Sequence, residues 1–195
     1  MTKRKGRTAG PRGYLPRVAK SEDWTTPQHI IEAVLRAFGG GIDLDPCSNP
    51  DSIVPAGRRI WLAKWRDWYL EDHQELPLDV EVGDGLLATW GGNVFCNPPY
   101  SSGTMGAFMS RAEGMVEARG GSAIFLVPSK TDIRAWQKHV RSASAVCFIA
   151  GRLTFGGAEA GATFPSALVL WTADRALPHR FALETCELGQ VWRPA

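Results

Sequence analysis

Asn97-Pro98-Pro99-Tyr100 is the segment of this chain whose residue types are hardest to explain by chain reversal alone. It follows the apolar run Val94-Phe95-Cys96, which reads as a short strand, and its two prolines fix φ at consecutive positions. In an open α/β sheet, ligands bind beyond the carboxyl ends of the strands, so a polar Asn97 held stiffly there is placed to meet one. The chemistry that suits it is activation of a planar amine. The exocyclic amine of adenine is a poor nucleophile because its lone pair is delocalised into the ring. The Asn97 side-chain oxygen and the Pro98 carbonyl can each accept one N–H of such an amine, shifting density onto the nitrogen as it attacks a methyl sulfonium. Tyr100 offers a face on which an extruded base stacks. The scheme needs no general base and no metal, and His29, His73, His139 and His179 show no ligand spacing.

These residues require a sheet to hold them, and the hydrophobic pattern supplies one. Thr26-Pro27 predicts a helix start, with Thr26 as cap and Pro27 at the first helical position, followed by Ile30, Ile31, Val34, Leu35 and Phe38 at helical spacing. Gly39-Gly40-Gly41 stops that helix. Ile42-Asp43-Leu44-Asp45 reads as a strand ending on carboxylates, and Asp45, at its end, is the better placed of the two to bind a ligand. Behind Asn97, the residues Phe108, Met109, Ala112, Met115 and Val116 form a helical face. The run 123–127 reads as a strand covered on both sides. Ile133, Trp136, Gln137 and Val140 suggest another helix. Strands are expected at 145–149, 153–155 and 167–171, with a turn at Gly151. Alternating strands and amphipathic helices argue for an α/β layered sheet, and the closely spaced last strands for an antiparallel edge.

Composition narrows the class. A chain of 195 residues, 44% hydrophobic and 22% charged, has the make-up of one ordinary globular domain. No apolar run approaches the roughly 20 residues that span a bilayer, and the first 20 residues are too polar for a secretory signal, so a cytoplasmic location and no membrane partner are expected. Cys47, Cys96, Cys147 and Cys186 lack paired spacing, and Cys96 and Cys147 read as buried reduced thiols. The net charge of +2 hides an asymmetry: Lys3, Arg4, Lys5, Arg7, Arg12, Arg17 and Lys20 precede the first acid, Glu22. Residues 1–21 therefore read as a basic arm, disordered until bound, ahead of a single domain at 22–195. Such an arm suits a phosphate backbone, or serves only as a solubilising tail.

Several separated motifs, taken in order, resemble those of the Dam-like N6-adenine DNA methyltransferases of phages and prophages. Asp23-Trp24-Thr25-Thr26-Pro27 resembles that family's N-terminal cofactor motif and Leu44-Asp45-Pro46-Cys47 its first strand. Asp84-Gly85-Leu86 resembles its acidic turn and Asn97-Pro98-Pro99-Tyr100 its catalytic motif. The segments 148–155 and Phe164-Pro165-Ser166 look like its C-terminal signature. The resemblance implies a Rossmann-like class I S-adenosylmethionine-dependent methyltransferase sheet with helices on both faces, acting on adenine in DNA as in phage DNA modification. It also implies that Trp24, Thr25, Thr26, Pro27, Asp45, Pro46, Cys47 and Asp84 line the S-adenosylmethionine pocket, and that Asn97, Pro98, Pro99 and Tyr100 are catalytic. Where many methyltransferases carry a Gly-x-Gly turn after the first strand, this chain reads Pro46-Cys47-Ser48-Asn49-Pro50.

Arg58, Arg59, Lys64 and Arg66, interleaved with Trp61, Trp65, Trp68 and Tyr69, are candidate DNA contacts, with Arg152 from the C-terminal signature. The competing arrangement is a helix with Ile60, Leu62 and Trp65 inward and Arg59 and Arg66 in water. Lys130, Arg134, Lys138 and Arg141 form a second basic group with the same two readings. DNA is the expected partner and no obligate protein partner is evident. The rival functions are N5-glutamine methylation of a protein, because that amide nitrogen poses the same electronic problem, and a DNA-binding protein of this fold without turnover.

Overall fold

A computed structural model describes residues 25–156 and 160–194. The basic arm and Trp24 lie outside the described residues. In chain order the elements are α1 (Gln28–Phe38), β1 (Ile42–Asp45), β2 (Ala56–Trp61), α2 (Ala63–Leu70), β3 (Val80–Val82), β4 (Asn93–Cys96), α3 (Ser102–Arg119), β5 (Ser122–Pro128), α4 (Arg134–His139), β6 (Ala145–Ile149), β7 (Ser166–Thr172), α5 (Leu177–Thr185) and β8 (Gly189–Trp192).

The strands form one eight-stranded sheet in the order β3-β2-β1-β4-β5-β7-β6-β8. β3, β2, β1, β4 and β5 are parallel, and β7, β6 and β8 add an antiparallel edge. The chain leaves β1 in one direction along the sheet and returns to its other side at β4. Open α/β sheets bind ligands at such a switch point.

Alternation along the strands builds two cores. Phe95, Ile124, Leu126, Leu168 and Leu170 pack with α1 and α5 on one face, while Val94, Cys96, Phe125, Val127 and Val169 pack with α3 and α4 on the other. Both faces are covered, which is why β5 reads as a continuous apolar run and every one of its residues is buried. The α1 stripe works as its periodicity predicts: Ile30, Ile31, Val34 and Phe38 are buried, and Gly39 closes the helix at φ +84°.

Three local expectations are corrected. Thr26 does not cap α1. Pro27 occupies the N-cap position, its carbonyl accepts the Ile30 and Ile31 amides, and the Thr26 hydroxyl is engaged elsewhere. Leu153-Thr154-Phe155 is no strand, because β6 already has β7 and β8 on its two edges and offers no third. Its neighbour Gly156 instead makes a single bridge to Thr25. The Arg- and Trp-rich segment is split between β2 and α2, so Ile60 is buried on a strand while Leu62 stays 47% exposed. α2 buries none of its residues. The final pair, α5 and β8, carries no strong sequence signal, yet Phe181 and Leu177 complete the core beneath α1.

Among the described residues, no helix is long and apolar enough to cross a membrane. All four cysteines are free, with Cys96 and Cys147 buried.

Candidate active site

The loop after β4 begins where the ladder can no longer run. β4 pairs with β5 up to Cys96 opposite Phe125. Pro98 and Pro99 have no amide hydrogen to continue the pairing, so the chain leaves the sheet at Asn97. The Asn97 amide is clamped from both ends. Its Nδ2 donates to the Thr26 hydroxyl at 3.2 Å, and its Oδ1 accepts the Tyr100 hydroxyl at 2.6 Å. The shorter distance belongs to an O–H···O bond, which fixes which end of the amide is oxygen. Burial pushes the Tyr100 phenol pKa up, so the hydroxyl stays protonated and donates.

Tyr100 is not an isolated lid. Its ring meets Phe164 edge-on at 5.4 Å and Phe155 at 6.4 Å between centroids. The three aromatics form a wall on the α1 side of the sheet. Phe155 and Phe164 were not singled out from the sequence as site residues. The signal available was their place in the two C-terminal signature segments, one on each side of a Gly- and Ala-rich loop. The Gly156 amide donates to the Thr25 carbonyl at 2.9 Å, which ties the wall to the segment carrying Thr26.

The loop after β1 approaches from the other side of the switch point. Asp45 is only 3% exposed. Its carboxylate accepts the Cys47 amide at 3.0 Å and the Ser52 hydroxyl at 3.4 Å. Burial outweighs these bonds and raises its pKa to about 6. Asp43, the alternative carboxylate, accepts the Asn93 amide at 2.7 Å and thereby anchors the start of β4. Cys47 and Cys96 bring the two loops together, with their sulfurs 3.5 Å apart, and burial pushes both thiols up.

The Asp84-Gly85 turn closes the third side. A β-carbon on Gly85 would lie 1.9 Å from the Pro46 carbonyl oxygen, so the turn backs directly onto the β1 loop. The Trp90 indole N–H donates to the Gly85 carbonyl at 2.8 Å, and Asp84 Oδ1 accepts the Leu86 amide, leaving the carboxylate exposed.

Thr25, Thr26, Pro27, Asp45, Pro46, Cys47, Asp84 and the 97–100 loop are thus drawn to one end of the sheet. The proposed DNA contacts are not drawn to one place. Arg58 binds Glu81 and the Thr89 carbonyl, and Arg59 binds Asp79, so both guanidinia join β2 to β3 and its approach. The Arg partners hold Asp79 and Glu81 below the usual carboxylate range. Arg66 pairs with its neighbour Asp67, the Lys64 ammonium lies 4.5 Å from the Trp65 ring, and Arg152 is exposed. Lys130, Arg134, Lys138 and Arg141 are all exposed. Among the described residues, no group of three His, Cys, Asp or Glu side chains could hold a metal.

Residues 80–172 match the family described as DNA N-6-adenine-methyltransferase (Dam). No curated protein matches the chain. Of the solved structures it is similar to, the M protein of the type I restriction enzyme EcoKI aligns at 16% identity and a TM-score of 0.49, over 82% of this chain and 46% of that one. The chain therefore spans about half that protein's length. A candidate RNA methyltransferase from Pyrococcus horikoshii aligns at 14% identity and a TM-score of 0.50, over 78% of this chain and 88% of that one, and shares the fold.

Proposed function

We propose that this chain, whose residues 80–172 match the DNA N-6-adenine-methyltransferase family, transfers the methyl group of S-adenosylmethionine to the N6 amine of adenine in DNA. One observation carries the reading: the Asn97 amide, oriented by Thr26, presents an oxygen at the switch point between the buried Asp45 and the aromatic wall.

The residues present fit S-adenosylmethionine. Asp45 is a buried carboxylate with a raised pKa and, among the described residues, no cation bonded to it, so an ammonium or a ribose hydroxyl would compensate its desolvation. Pro46, Cys47 and Asp84 flank it, and the Gly85 approach to Pro46 keeps that wall thin. When bound, the cofactor supplies an electrophilic methyl group on a sulfonium.

The chain's own part is positioning and polarisation. Asn97 Oδ1 and the Pro98 carbonyl accept the two amine hydrogens of an extruded adenine, which concentrates electron density on N6. The Thr26 hydroxyl holds the amide so that its oxygen, not its nitrogen, faces the amine. Pro98 and Pro99 keep the two acceptors from drifting, because near-attack geometry tolerates little motion. Tyr100 must yield Asn97 Oδ1 to the incoming amine, and its ring then stacks on the base. Lys64, Arg66, Arg152 and the basic arm contribute phosphate contacts, whereas Arg58 and Arg59 act mainly as structural ties.

Long-read methylation mapping of a host expressing the chain tests this reading. N6-methyladenine at a recurring sequence, absent with the Asn97→Ala variant, is expected. An unmodified genome together with a folded, S-adenosylmethionine-binding protein would refute it.

A further inference from the structure

Two Pro-Ser dipeptides, Pro128-Ser129 and Pro165-Ser166, lie side by side where β5 ends and β7 begins. Pro128 is opposite Ser166 in the sheet register, and the Ser129 amide donates to the Pro165 carbonyl at 2.8 Å. Both serine hydroxyl oxygens are buried, and neither has a hydrogen-bond partner among the described residues. Ser166 is 2% exposed. A buried hydroxyl with nothing to bond costs stability that an alanine would not. Both serines also stand beside a proline, which has no amide hydrogen to offer them.

Their position gives the hydroxyls a use. β5 ends on the same edge of the sheet as β4, which leads into Asn97. Leu168 and Leu170 face the core beneath α1, so Ser166, two residues earlier on β7, faces that way too. Phe95 shares that face, and Asn97, just beyond β4, is bonded to Tyr100, which packs there. Tyr100, Phe155 and Phe164 pack on that face as well, with Phe164 two residues before Ser166. The unpartnered Ser166 hydroxyl therefore borders the aromatic wall on the side away from Asp45, whereas Ser129, one residue past Pro128, falls on the other face by the same alternation.

We propose that Ser166 forms the edge that reads the target base, its hydroxyl donating to an adenine ring nitrogen near the amine (N1 or N7). This rests on the adenine-methylation reading and adds the residue that recognises the ring. Asn97 and Pro98 test only for an amine, which cytosine also carries. A donor aimed at a ring acceptor near that amine adds a constraint on the ring. Recognition by a buried polar group discriminates strongly, because an analogue lacking the acceptor leaves the group unpaired.

Ser166→Ala and Ser129→Ala are compared with the unmodified chain on duplexes carrying adenine, 1-deazaadenine or 7-deazaadenine at the mapped target. S-adenosylmethionine affinity and melting temperature are measured alongside. For Ser166→Ala, kcat/KM on adenine is expected to fall about fivefold to tenfold, with cofactor affinity and melting temperature unchanged or the latter raised, and Ser129→Ala is expected to stay within about twofold of the unmodified chain. On one deaza analogue the same variant and the unmodified chain are expected to be equal. A Ser166→Ala variant as active as the unmodified chain on adenine would overturn the inference while leaving adenine methylation standing. So would a loss of activity accompanied by lost cofactor binding or by a lowered melting temperature. An unmodified chain that methylates no adenine would overturn both.

Discussion

The Tyr100 hydroxyl occupies Asn97 Oδ1, 2.6 Å away, and this is the oxygen that the proposed reaction offers to an adenine amine. In that reaction tyrosine and substrate compete for one acceptor. Tyr100→Phe keeps the ring against Phe155 and Phe164 and removes the competitor, at a cost of about 1 kcal/mol in stability. Steady-state kinetics should show kcat/KM for DNA unchanged or raised up to about fivefold. A tenfold fall would show that the hydroxyl takes part in the reaction. Tyr100→Ala, which removes the stacking face, is expected to lose activity on the order of a hundredfold.

In the proposed reaction Thr26 is a positioning residue. Its hydroxyl receives the Asn97 Nδ2 hydrogen, so Thr26→Val removes one of the bonds that hold the amide oxygen toward the amine. We expect kcat to fall about tenfold, with KM for DNA within about twofold, and Thr26→Ser to restore most of it. A variant that loses cofactor binding instead would return Thr26 to the cofactor pocket, where the sequence motif puts it.

Asp45 makes the protein without cofactor sensitive to pH. Its pKa of about 6 lies above the ordinary 3.8, so the folded state holds that proton more tightly than the unfolded state. Between about pH 4 and 6 the native state binds more protons, and the Asp45 contribution to stability falls as pH rises through this window. Above it, the buried charge costs on the order of 3 kcal/mol. Denaturant titrations should find Asp45→Asn more stable than the unmodified chain at pH 8, and the gap narrowing toward pH 4. Calorimetry should find its S-adenosylmethionine affinity lost. A variant less stable at pH 8 would mean that the charge is already compensated within the chain.

Gly85→Ala tests the join between the acidic turn and the β1 loop. A β-carbon there meets Pro46 backbone, which cannot move aside as a side chain would. Destabilisation on the order of 3 kcal/mol is expected, together with weaker cofactor binding as Asp84 is displaced. Unchanged cofactor affinity would argue that Asp84 lies outside the pocket.

Much of this site could be read from the residues, for identifiable reasons. Ile42–Asp45, the strand before Asn97 and the fully apolar β5 follow from periodicity, because both faces of a parallel sheet must be covered. The gathering of Thr26, Asp45, Asp84 and Asn97 at one edge depends on strand order, to which local spacing is blind. Arg58 to Tyr69 misleads because the same residues suit a basic helix or a strand tied to acids at Asp79 and Glu81, and those partners lie about twenty positions later in the chain. The Tyr100–Asn97 bond and the unpartnered hydroxyls of Ser129 and Ser166 depend on how the loops fold back, which no pattern of residue types encodes.

Transfer of tritiated methyl from S-adenosylmethionine to duplex DNA, followed by nucleoside digestion and chromatography, tests the role of Asn97 most directly. Label is expected in N6-methyldeoxyadenosine with the unmodified chain. With Asn97→Ala it should fall by about a thousandfold while calorimetric cofactor affinity is retained. Label appearing in protein glutamine instead of DNA, or full labelling of adenine by the Asn97→Ala variant, would contradict the assignment.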